Sequence, residues 1–149
     1  MTEIRFYHLQ TQPLETALPL ILQKALDGGH KIVVRAKDSK QVELLNDKLW
    51  LFRPDSFLPH GSEKDGNPEL QPIWLTDKDE NPNQADVLIL TGQSDAQDID
   101  GFKLCCEVFD GHDEEALTHA RAKWKSYKDT EYDLTYWQQN NNGGWDKKA

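Results

Sequence analysis

Apolar residues along the chain alternate between short runs and helically spaced stripes, and this alternation predicts the elements. Ile4 to Leu9 (IRFYHL) is rich in β-formers and reads as an opening strand. From Leu14 to Leu26 apolar residues recur at helical spacing, and Gly28 and Gly29 end the pattern. Pro19 lies inside that pattern and predicts a helix that starts near it or kinks there. Lys31 to Ala36 (KIVVRA) has the length of a buried strand, and Asp38 is placed to cap a helix over Lys40 to Trp50. Further strands are expected at Ile73 to Thr76, Val87 to Thr91 and Leu104 to Phe109. A last helix is expected from Asp113 to Lys128, with Asp113, Glu114 and Glu115 at its positive end.

Prolines and glycines crowd the stretch from Arg53 to Pro72, which predicts a long surface loop. Gln138 to Ala149 (QQNNNGGWDKKA) has the composition of a mobile polar tail. Strands alternating with helices over residues 1–137 imply a single α/β domain with a largely parallel sheet and helices on both faces, followed by the tail at 138–149. The turn after the first strand, His8 to Pro13, has no glycine to let backbone approach a phosphate, and there is no GxxxxGK[ST] loop. The expected domain is thus Rossmann-like without a nucleotide site, and no cofactor is called for.

Charge narrows the function classes. The 149 residues carry a formal net charge of −9, which disfavours any partner held through its phosphates. No apolar stretch suits a membrane span and Met1 to Leu9 lacks the character of a secretory signal, so a cytoplasmic location is expected. Cys105 and Cys106 are adjacent in an apolar strand and read as reduced core residues. Asp77, Asp79 and Asn81 begin like a calcium loop, but Pro82 and Leu88 occupy its decisive positions; the five histidines form no metal-binding spacing. No metal site and no catalytic residue is assigned.

Two regions stand out. Leu49 to His60 (LWLFRPDSFLPH) gathers Trp50, Phe52 and Phe57 with Pro54 and Pro59 at a helix exit. Phe52 reads as core; Trp50 and Phe57 either close the core beneath the loop or form a partner surface. The last helix, ALTHARAKWKSYK, has four cations and no acid after Glu115. Leu117, Ala120, Trp124 and Tyr127 share one stripe, with Leu117 and Ala120 read as core; Arg121, Lys125 and Lys128 share the adjoining one. A cation row can be no more than a solvated face near the helix C-terminus, but an apolar slot edged by cations also suits an acidic peptide with a hydrophobic end.

The segments FYHL, LW followed by RPDSFLPH, and ARAKWKSYK followed by YDLTYW resemble, in order and spacing over about residues 4–137, the chi subunit of bacterial DNA polymerase III holoenzyme. That resemblance implies a non-catalytic accessory subunit that docks the acidic C-terminal tail of single-stranded-DNA-binding protein and meets the psi subunit or another clamp-loader component. It also implies tail-binding roles for Arg121 and Trp124 and clamp-loader-side roles for Trp50 and Phe57. Leu117 stands where some relatives carry a basic residue, which shifts the cation supply here to Lys125 and Lys128. The residues beyond Trp137 have no clear counterpart in the family. The alternatives are direct binding of single-stranded DNA through Trp124, Tyr127 and the cations, and an enzyme of unknown substrate on the same fold.

Overall fold

The computed structural model of the chain describes residues 2–51 and 59–149. One eight-stranded sheet runs in the order β3-β4-β2-β5-β6-β1-β7-β8. The strands are β1 (Glu3–Leu9), β2 (Ile32–Arg35), β3 (His60–Ser62), β4 (Ile73–Thr76), β5 (Val87–Leu90), β6 (Leu104–Asp110), β7 (Asp133–Gln139) and β8 (Trp145–Lys147). All pairings are parallel except the β7–β8 hairpin. Helices α1 (Leu14–Asp27) and α2 (Ser39–Trp50) cover one face, and α3 (Glu114–Lys128) covers the other.

The central strands are apolar throughout because both faces are covered: Ile32 and Val34 meet α1 and α2, while Val33 joins the core beneath α3. Cys105 and Cys106 are split between those two cores by the same alternation, and burial pushes the Cys106 thiol up to about 12. Pro19 sits within α1 without ending it; in the second turn its missing N–H costs one bond, and its buried ring helps seat the helix. Asp38 caps α2 as expected, accepting from the Gln41 N–H at 2.9 Å.

Three strands depart from the sequence reading. β3 lies inside the expected long loop, where His60 to Ser62 pair with β4 despite lacking strand-forming residues. β7 extends the sheet beyond β1 through half-buried residues. The segment 138–149, expected as a mobile polar tail, instead completes β7, turns and returns as β8. Its Asn-Gly composition serves as turn chemistry: Asn140 Oδ1 accepts the N–H groups of Asn142 and Gly144 at 3.0 and 2.9 Å, and Gly143 takes the left-handed φ of 82°. Trp145 then packs edge-on against Tyr7 at 4.8 Å, giving the hairpin an apolar anchor.

Gln139, 2% exposed, also closes the turn after β1. Its Oε1 accepts the backbone N–H groups of Gln10, Thr11 and Gln12 at 3.3, 3.0 and 3.0 Å. These donors, at the strand end where α/β domains of this kind meet phosphates, are satisfied from within the chain.

At the far end of β2, the buried Arg35 guanidinium holds Asp98 bidentately at 2.6 and 2.7 Å, donates to the Glu80 carbonyl at 3.0 Å and stacks over Phe102. Arg35 holds the Asp98 carboxyl below its usual range. A depressed carboxylate stabilises the fold above its unfolded pKa, and that stability is lost as pH falls through its folded pKa. Because Asp98 is 42% exposed, screening keeps the contribution near about 1 kcal/mol. Denaturant unfolding of wild type and Asp98→Asn should therefore differ at pH 7, begin to converge only as pH falls below about 4, the ordinary Asp value, and coincide once pH is below the lowered folded value.

Candidate docking surface

Helix α3 begins at Asp113, whose carboxylate accepts the N–H groups of Glu115 and Ala116 at 3.0 and 3.3 Å. Ala116 and Ala120 are buried against the sheet, and Leu117, Trp124 and Tyr127 pack partly on the same core. Trp124 is half-buried, its ring edge-on to Phe6 at 5.4 Å and to Tyr136 at 5.6 Å. The predicted apolar stripe therefore does both jobs: its small residues seat the helix, and its aromatics form the ledge where α3 meets β1 and β7.

Sequence spacing had gathered Arg121, Lys123, Lys125 and Lys128 into one basic helix, and the structure divides them. Lys123 points inward to the Glu107 carboxylate on β6, to Asp95 Oδ1 at 3.3 Å and to the Ser94 carbonyl at 3.3 Å. Burial pushes the Glu107 carboxyl up, while the Lys123 charge draws it back. Arg121, Lys125 and Lys128 are exposed, and none of them is ion-paired among the described residues. Lys125 and Lys128 occupy the last helical turn, where the helix dipole already favours cations.

Beside Arg121 lies a group with no local sequence signal. His8 Nδ1 is 2.7 Å from the Tyr136 hydroxyl, and the Arg121 charge acts on both side chains. Burial, then Arg121 and His112, lower the His8 pKa, so its ring is neutral at pH 7. Tyr136 in turn stacks on Phe6 at 6.2 Å, continuing the aromatic ledge of Trp124.

Trp50 is found elsewhere. It closes α2 on the opposite face of the sheet, 52% exposed, with its ring 4.5 Å from that of His60 on the β3 edge. Phe57, expected beside it, falls outside the described residues, as does Phe52. The sequence reading missed Leu44 and Leu51, 45% and 77% exposed, which with Leu20 border a shallow groove between α1 and α2. The only available signal was the seven-residue spacing of Leu44 and Leu51, which puts them on one side of α2 and its exit.

Among the described residues no three His, Cys, Asp or Glu side chains converge as a metal site, and no helix is long and apolar enough to cross a membrane. Residues 1–135 match the family described as DNA polymerase III chi subunit, HolC. The chain belongs to that family. A curated relative from Rickettsia prowazekii (strain Madrid E), "Probable DNA polymerase III subunit chi", is 34% identical over 109 residues, covering 73% of this chain and 66% of the relative, just under two thirds of its length. The family description and the relative's name are both those of a DNA polymerase III subunit. The match ends at residue 135, so the β7–β8 hairpin lies largely beyond it.

Proposed function

We propose that this subunit is a non-catalytic adaptor that captures the acidic C-terminal tail of single-stranded-DNA-binding protein on α3 and meets the psi subunit or another clamp-loader component through the end of α2. The observation that carries this reading is the exposed row Arg121, Lys125 and Lys128 beside the half-buried Trp124, in a chain of net charge −9. Carboxylates of the tail would pair with Arg121, and a terminal hydrophobic side chain would rest on the Trp124 ledge. Trp50, Leu44 and Leu51 lie on the other face of the sheet, so both partners can be held at once. An exposed Trp is the kind of anchor that dominates docking energies, and Leu44 and Leu51 would add apolar surroundings that exclude water.

The separation is testable. Trp50→Ala combined with Leu51→Asp should abolish capture of the psi subunit or clamp loader on a sensor surface, while leaving the affinity for a short acidic peptide and the melting temperature close to wild type. A fall of several degrees in melting temperature would make these residues structural; loss of peptide binding would merge the two surfaces into one.

A further inference from the structure

We propose that Tyr136, oriented by His8, donates its hydroxyl to the terminal carboxylate that Arg121 receives, making Tyr136 a specificity-determining residue of the docking site. The inference rests on the reading that α3 receives an acidic tail. Its starting point is the His8 ring, whose two nitrogens have different surroundings. Nδ1 is 2.7 Å from the Tyr136 hydroxyl, whereas Nε2 is buried with no hydrogen-bond partner. Nε2 faces Gly111 so closely that a side chain there could not fit: a Cβ would stand 1.9 Å from it.

One proton must be placed on this neutral ring. If it sits on Nε2, a buried N–H is orphaned, which native structures rarely tolerate; if it sits on Nδ1, only an acceptor lone pair goes unmet. The Nδ1–H form is therefore preferred, and it donates to the Tyr136 oxygen. The hydroxyl hydrogen of Tyr136 is then directed away from His8, with no other partner for it among the described residues. The Tyr136 ring is fixed by Phe6 and Trp124, and the Arg121 charge acts on its oxygen. A carboxylate drawn to Arg121 while its side chain lies on Trp124 thus has a second donor beside it whose hydrogen is not spent on His8. An amide in the same place would keep the apolar contact but lose the charge that strengthens the hydroxyl bond.

The test is a titration of a short acidic peptide ending in Phe, as free acid and as C-terminal amide, into wild type, Tyr136→Phe and Arg121→Ala, with melting temperatures recorded for each. A hydrogen bond to a charged group predicts that Tyr136→Phe weakens the free acid about tenfold and the amide by much less. Nitrogen-15 spectra of wild type should show His8 as the Nδ1–H tautomer. An equal loss for acid and amide would overturn the proposal, as would an Nε2–H tautomer. If Tyr136→Phe binds like wild type while Arg121→Ala does not, the hydroxyl has no role although the docking site stands. If Arg121→Ala also binds like wild type, the docking site itself is wrong.

Discussion

Lys123→Ala is expected to destabilise the protein by about 3 kcal/mol while leaving the affinity of the folded protein for an acidic peptide almost unchanged. The side chain is 12% exposed and its ammonium meets Glu107, itself 8% exposed. Removing it strands a buried carboxylate, whose remaining neighbour, the Tyr127 hydroxyl, stands off at 3.5 Å. Breaking such a pair costs more than the pair contributes, because the charge left behind is desolvated and unmet. Replacing both members, as in Lys123→Met with Glu107→Leu, should restore most of the loss. Urea unfolding of the two variants beside wild type reads this directly. If Lys123→Ala were fully stable and failed to bind peptide, Lys123 would belong with the docking cations.

Lys123 also shows where sequence reasoning stops. On the helix alone it is one of four cations, and nothing in the spacing separates it from Arg121 or Lys125. Its partners come from β6 and from the loop holding Ser94 and Asp95, which only the fold brings beneath it. His8 and Tyr136 pose the same problem across 128 positions of sequence. Strong periodicity did carry: β2, β5 and the three helices follow from apolar runs, helical stripes, the Asp38 cap and the acids at the start of the last helix. The elements that escaped lack such signals. β3 is His-Gly-Ser, β7 is half-buried along most of its length, and β8 is introduced by a run of Asn and Gly whose composition matches disorder. That run is ordered here by the Asn140 turn, the Gln139 side chain and the contact of Trp145 with Tyr7. Composition alone cannot show contacts of this kind.

Arg121→Ala should have the second large effect, weakening an acidic peptide by about 2–3 kcal/mol, or roughly 30-fold to 150-fold. Arg121 is exposed in the free protein, so its removal leaves no buried charge behind and stability should hold. Lys128, the last residue of the helix, should behave as a rim cation: Lys128→Ala should slow association and flatten the salt dependence, with a smaller loss of affinity. Trp124 packs on Phe6 and Tyr136, so Trp124→Ala would mix lost stability with lost binding and is the less informative variant.

The most direct measurement is a calorimetric titration of wild type and Arg121→Ala with a short acidic peptide ending in Phe, beside bare single-stranded DNA, at low salt and above 0.1 M, where the Debye length falls below about 10 Å. Tail capture on α3 predicts that wild type binds the peptide, more weakly at the higher salt but with residual affinity from the apolar contact. It further predicts that Arg121→Ala loses most of this binding at unchanged melting temperature, and that DNA binds far more weakly than the peptide. Equal binding of the peptide by wild type and Arg121→Ala, or DNA binding as tight as that of the peptide, would contradict it.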